Sequence, residues 1–138
     1  LAKAITTANG IASTVNPIAI LINPGIYTED NSAGPLTITA NGISIVGDSS
    51  SGVFIMPSTP TNDLILSNTT IRIANITCQS SSPLATGISL AAGSFSNLTN
   101  VRLFNFLTGI ICAGSTSTYL LDNCLFIING TALNVNDT

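Results

Sequence analysis

Two short blocks of sequence recur along the second half of the chain, and they keep step with each other. The first block is an asparagine followed by an apolar, a variable and an apolar residue, and it begins at Asn75, Asn100 and Asn123. The second is a threonine followed by a small residue and an apolar one, and it begins at Thr86, Thr108 and Thr131. The asparagines are 25 and 23 residues apart, and the threonines 22 and 23. A shared period of this length indicates a solenoid, in which each repeat buries its apolar face against the next.

The rest of the pattern favours strands after one short helix. An alanine-rich amphipathic stretch predicts a helix over residues 1–13, and β-branched runs then alternate with Ser, Thr, Asn, Gly and Pro. We expect strands over residues 18–22, 36–39, 43–46, 53–56, 64–66, 70–73, 76–78, 87–90, 101–104, 109–112, 119–121, 124–128 and 132–135. The sequence therefore predicts an all-β fold: a single-stranded right-handed parallel β-helix of about five coils of 22–25 residues, capped by the helix. We expect one domain over residues 1–138, with the coils over 18–138.

Alignment of the asparagine blocks indicates which side chains point inward. The first and third residues after each asparagine are apolar, whereas the second suits an outer face and is Thr77, Arg102 or Leu125. At the bend before them we expect a buried ladder of hydrogen-bonded amides, formed by Asn75, Asn100 and Asn123. The same alignment puts three cysteines in core columns as packed free thiols, namely Cys78, Cys112 and Cys124.

Composition excludes several functions. The chain has 138 residues, three of them basic, six acidic and none histidine, with a net charge of −3. Three scattered cations cannot neutralise a phosphate backbone, so nucleic acid is not an expected partner. Without histidine, His-based acid–base catalysis and His-ligated zinc are excluded, and the cysteines lack metal-ligand spacing, so we expect no metal and no cofactor. No apolar run approaches the length of a membrane span.

Residues 1–57 resemble the N-terminal part of the pectin lyase-like right-handed β-helix superfamily, in particular its pectin methylesterase branch. Three stretches carry the resemblance: the alanine-rich helix, Ile-Leu-Ile-Asn-Pro-Gly-Ile-Tyr-Thr-Glu over residues 20–29, and Ile-Ser-Ile-Val-Gly-Asp over residues 43–48. The resemblance implies that the helix caps the open N-terminal end and that the turn around Tyr27 closes the first coil. The later coils are similar to ordinary coils of that superfamily. These motifs imply a fold and no particular chemistry.

The catalytic residues of that superfamily are not matched. Pectin methylesterase-like catalysis needs two aspartates and an arginine on one strand face, with glutamines nearby, and Gln79 is the one glutamine of the chain. In the aligned coils Asp122 lacks a stacked acidic partner, and Arg72 and Arg102 fall in different columns. We expect solvated turn positions for Glu29, Asp30, Asp48 and Asp63. The sequence therefore predicts no catalytic site.

Two features of the sequence suggest contact with glycans. Five Asn-x-Ser/Thr sequons occur, of which Asn75 belongs to the predicted ladder, and the candidate acceptors that we retain are Asn68, Asn97 and Asn129. Polar Ser/Thr/Asn faces also suit glycan contact, which usually adds an aromatic platform. The chain has no tryptophan, so its candidates are Tyr27, Tyr119, Phe104 and Phe106, all of which we expect to serve packing first.

The sequence thus predicts a non-catalytic structural or adhesive module of a surface, fibre or virion-associated protein, in contact with glycans through its polar faces. Its location is expected to be extracellular, at a cell surface or on a virus particle. The last predicted strand lies close to residue 138, so we expect the C-terminal edge to meet further coils or another subunit. Two alternatives stay open. One is the N-terminal part of a carbohydrate-active enzyme whose catalytic coils lie beyond residue 138, and the other is a purely architectural part of a virus particle.

Overall fold

The chain forms a parallel β-solenoid. A computed structural model describes residues 1–91, 95–114 and 117–136. Helix α1 spans Ala2–Ile11, and the strands are β1 (Ile18–Ile22), β2 (Gly25–Glu29), β3 (Leu36–Ile38), β4 (Ile43–Gly47), β5 (Val53–Pro57), β6 (Ile65–Ser67), β7 (Ile71–Gln79), β8 (Thr86–Leu90), β9 (Phe95–Phe104), β10 (Thr108–Ala113), β11 (Thr118–Asp122), β12 (Leu125–Ile127) and β13 (Thr131–Asn136). About 5 turns and 53% strand confirm the predicted all-β solenoid with one N-terminal helix, an architecture compatible with a right-handed parallel β-helix.

Parallel pairing between coils produces three lateral faces. The first face is the stack β1, β4, the beginning of β7, the beginning of β9, and β11. The second face is the stack β2, β5, the end of β7, the end of β9, and β12. The third face is the stack β3, β6, β8, β10 and β13. Strands β7 and β9 belong to two faces because each turns a corner at a single asparagine, Asn75 or Asn100.

Alternate side chains point into the solenoid and form columns along its axis. On the first face, Ile45, Ile73 and Leu98 lie in register and are fully buried. On the third face, Ile65, Ile88 and Ile110 do the same. Burial of each such side chain is worth about 1.5–3 kcal/mol, so the stacking of coils supplies most of the stability.

Several local predictions differ from the structure. The resemblance implies a turn at Gly-Ile-Tyr-Thr-Glu, but this segment is strand β2, because all five of its residues pair with β5. The separate strands predicted at 70–73 and 76–78 are one strand, β7. Thr77, expected on an outer face, is buried, and its hydroxyl donates to the carbonyl of Ser50 in the β4–β5 loop.

Glu29 is a further correction, since it was expected to be a solvated turn residue. It is 6% exposed, and its Oε2 accepts a hydrogen bond of 2.9 Å from the backbone N–H of Ala2. Its Oε1 lies 2.5 Å from the Leu1 nitrogen. Because the first N–H groups of a helix lack partners within the helix and carry partial positive charge, a carboxylate is stabilised there. Glu29 therefore ties α1 to the end of the first coil.

Candidate functional site

The three predicted ladder asparagines lie one above another at the corner between the first and second faces. Each has a positive φ, of 56° at Asn75, 53° at Asn100 and 50° at Asn123. Asn100 Nδ2 donates to Asn75 Oδ1 over 3.0 Å, and Asn123 Nδ2 donates to Asn100 Oδ1. The stack is half-buried rather than fully buried, and Asn123 is exposed. The Asn100 amide thus donates to one neighbour and accepts from the other, and the stack serves the corner.

The sequon asparagines occupy different environments. Asn68 is exposed. Asn97 is half-buried, and its Oδ1 accepts a hydrogen bond of 3.0 Å from the Thr99 hydroxyl. The carboxamide of Asn129 is bound on both sides, since Nδ2 donates to the Leu103 carbonyl over 2.9 Å and Oδ1 accepts from the Phe106 N–H over 2.8 Å. Asn68 thus offers the most open side chain of the three, and Asn129 the most constrained.

The three thiols are free. Burial raises the pKa of Cys78 to about 12 and that of Cys112 to about 11. The pKa of the half-buried Cys124 is raised as well, again chiefly by burial. A thiolate is the reactive form of cysteine, so these environments suppress nucleophilic chemistry.

A groove of about 240 Å³ lies across the first face, and we name it the lateral groove. Strand register brings its side chains together, because Ser44, Arg72 and Asn97 follow one another along one outward column. Phe95, at the start of β9, and Thr70, immediately before β7, stand two residues earlier along the chain and lie beside each other. The lining is Pro17, Gly42, Ile43, Ser44, Thr70, Ile71, Arg72, Phe95 and Asn97.

Phe95 supplies an aromatic surface in the lateral groove. Its side chain is 50% exposed, and its backbone N–H donates to the Thr70 hydroxyl over 3.3 Å. The Arg72 side chain is exposed, and no ion pair involves it in the part of the chain that the structure describes. A flat ring beside a guanidinium, an amide and hydroxyls can bind a ligand with one apolar and one hydroxylated side, which describes a pyranose.

A larger open groove, of about 590 Å³, lies between α1 and β1. Its polar side chains are those of Lys3 and Thr7, and the remainder of its lining is apolar: Leu1, Ala4, Ala8, Ile11, Ile18, Ala19 and Ile20. Specific ligand sites need several polar groups that converge on the ligand. The lining surface of both grooves is mainly apolar, but the lateral groove has four polar side chains, whereas this groove has two.

The aromatic residues named from the sequence do not build this site. The hydroxyl of Tyr27 donates to the Asn23 carbonyl over 2.9 Å, and that of Tyr119 donates to the Ala113 carbonyl over 2.7 Å. Phe106 is buried in the core, and Phe104 is half-buried on the second face. The sequence analysis did not name Phe95 as a candidate aromatic contact. Its spacing offered a signal, because Phe95 stands two residues before Asn97 as Thr70 stands two residues before Arg72.

Comparison with family models, with curated proteins and with solved structures gives no match for this chain. No helix in the described ranges has the length and apolar character needed to cross a membrane. Within those ranges the structure also shows no group of three or more His, Cys, Asp or Glu residues placed to hold a metal ion.

Proposed function

We propose that this chain is a non-catalytic β-solenoid module of a surface, fibre or virion-associated protein, which binds glycans in the lateral groove. The observation that carries this proposal is the half-exposed ring of Phe95 among Ser44, Thr70, Arg72 and Asn97. The C–H face of a sugar ring packs on an aromatic face, while hydroxyl, amide and guanidinium groups hydrogen-bond its hydroxyls. The groove offers both contacts on one rigid sheet.

The solenoid suits a scaffold role because its outward side chains repeat at fixed intervals. Neighbouring coils stand about 4.8 Å apart, and each outward column therefore presents one side chain at every such step. Such a column is stiffened by strand pairing along its whole length, since successive coils are joined by parallel ladders. Most residues that line a glycan-binding groove on such a surface lie in strands and are held in place by the ladders.

The same proposal includes the type of solenoid, the location of the protein and the contact at its C-terminal edge. We assign the solenoid to the pectin lyase-like right-handed type, supported by its capping helix, the strand around Tyr27 and the corner asparagines. An extracellular or particle-surface location is supported by a charged fraction of 7%. The C-terminal edge, where Leu133 and Val135 are exposed, suits contact with further coils or another subunit.

The test is titration of the 138-residue chain with soluble monovalent oligosaccharides, followed by calorimetry or amide chemical shifts. Phe95→Ala and Arg72→Ala are expected to weaken binding at least tenfold each, or about 1.4 kcal/mol. The matched controls are Phe104→Ala and Arg102→Ala, which make the same chemical changes on the second face and should bind like the wild type.

Three outcomes contradict the proposal. One is that no member of a broad oligosaccharide panel binds, and another is that Phe95→Ala and Phe104→Ala bind equally well. The third is turnover: release of new reducing ends, unsaturated products or methanol by this chain would support a carbohydrate-active enzyme instead.

A further inference from the structure

The second face carries an apolar outer surface. Two outward columns run along it, in register through the strand pairs of this stack. The column nearer the asparagine corner is Ile26, Phe54, Thr77, Arg102 and Leu125, and the other is Thr28, Met56, Gln79, Phe104 and Ile127. Ile26 is 72% exposed and Leu125 is 45% exposed. The apolar members form two clusters, one of Ile26, Phe54 and Met56 and one of Phe104, Leu125 and Ile127, with Gln79 and the buried Thr77 between them. Exposed apolar clusters of this kind mark interaction surfaces.

Arg102 is the one charged side chain in these two columns. It is half-buried beside the outward ring of Phe104, with Leu125 above it in the same column. No ion pair among the described residues involves Arg102, whose neighbours in its column are Leu125 and the buried Thr77. An arginine within an apolar surface is a common anchor of protein interfaces, where it pairs with a carboxylate on the partner.

The chain itself presents a surface that complements this one. On the first face, the outward column nearest the same corner is Leu21, Val46, Ala74, Thr99 and Asp122. Its early part is apolar: Leu21 is exposed, Val46 is half-buried and Ala74 is buried. Its one charge is the exposed carboxylate of Asp122. Asp122 pairs in register with Thr99, which lies in the same strand and coil as Arg102. The two charges are therefore one coil apart in height, about 4.8 Å, which an arginine side chain can span.

We propose that two copies of this chain associate side by side with parallel axes, the second face of one copy against the Leu21–Asp122 column of the other. Apolar side chains of both surfaces would be buried, and Arg102 of one copy would pair with Asp122 of the other. Because the two surfaces differ, the contact is heterologous and generates a ring or a filament. Phe95 lies four residues before Thr99 in β9, about 13 Å away, so the sugar-contacting end of the lateral groove lies away from this contact.

A charge exchange tests this arrangement. The mass in solution is measured by sedimentation and light scattering across micromolar to millimolar concentrations. Arg102→Glu alone and Asp122→Arg alone are expected to weaken association at least tenfold, and the double variant R102E/D122R to restore most of it. Phe104→Ser should also weaken association, whereas Ile111→Ser, the matched change on the third face, should not.

Two results would overturn the proposal: a monomer at every concentration, or single and double charge variants that associate alike. Circular dichroism of each variant shows whether it folds, and Arg102→Gln replaces R102E where the latter does not. If Arg102→Gln still associates and Ile111→Ser does not, the contact lies on the third face, and this result would also overturn the proposal. The glycan titration is independent of these outcomes because it uses monovalent ligands.

Discussion

The corner asparagines combine two properties that few side chains share. Asparagine tolerates the left-handed backbone conformation better than other residues with a Cβ, and its amide both donates and accepts. At Asn100 both properties are used, because φ is 53° and the amide links Asn75 to Asn123. A one-residue corner can therefore repeat from coil to coil, with the inner amide hydrogen-bonded to the coil on either side.

Replacement of Asn100 by leucine is expected to destabilise the chain by about 2–5 kcal/mol. Two amide hydrogen bonds are lost, at about 0.5–1.5 kcal/mol each, and a side chain without local hydrogen bonding is forced into the left-handed region, at about 1–2 kcal/mol. The measurement is the free energy of unfolding from denaturant titration. Asn100→Gly is the control, since it loses the same hydrogen bonds but fits the backbone, and its cost should be smaller by about 1–2 kcal/mol. If N100L and the wild type had the same free energy of unfolding, the amide stack would not be among the interactions that stabilise the corner.

At the scale of the element, period-two alternation was enough to predict most strands. It works where one side of a strand faces the core, as in β4 and β5, whose burial alternates along their length. Alternation gave the wrong burial for Thr77, because this residue contacts a loop of the preceding coil. The sequence around Thr77 contains no sign of that loop. Glu29 was missed for a similar reason, since its partners lie at the start of α1, 27 and 28 residues away.

The lateral groove escaped prediction because its decisive residue lay outside every predicted strand. Residues 95–99 are rich in Ser, Asn and Thr and show weak alternation, so no strand was expected there. In the structure they pair with the beginning of β7, and only that register brings Phe95 and Asn97 beside Arg72. The core columns could be derived from repeat spacing alone, whereas the site depends on pairing between two coils.

Gly87, the glycine of the Thr-Gly-Ile block in strand β8, lies against the core, so we can predict the effect of replacing it. A Cβ on Gly87 would lie 2.5 Å from Leu103 Cδ2 and 2.8 Å from the Gly109 carbonyl oxygen. Because Leu103 is fully buried and cannot move freely, Gly87→Ala should cost about 1–3 kcal/mol in the free energy of unfolding. Gly10→Ala is the matched control, since a Cβ there meets nothing within 4 Å and helix α1 should gain about 0.5–1 kcal/mol. A Gly87→Ala protein as stable as the wild type would mean that Leu103 yields at little cost.

For the whole molecule, the solenoid implies that the effect of a core substitution depends on its level in the stack. Each coil contacts its neighbours along the axis, so an inner coil loses contacts on two sides and an outer coil on one. Ile73 is fully buried between Ile45 and Leu98. Leu133 is 40% exposed and pairs with Ile110 on one side. The two positions thus allow the same kind of truncation to be compared at two levels.

Ile73→Ala is expected to lower the free energy of unfolding by about 2–5 kcal/mol, the range for a large core side chain. Leu133→Ala should cost roughly half of that or less, because much of its surface is already in contact with water. Denaturant unfolding followed by circular dichroism measures both, and an unchanged m-value in Ile73→Ala would show that the coils still unfold as one unit. A second transition in that variant would instead mean that the coils on either side of Ile73 separate into independent units. An equal loss in free energy of unfolding at the two positions would contradict the view that each coil is stabilised by the coils next to it. Ile73 lies between two coils and Leu133 contacts one, so the losses should differ.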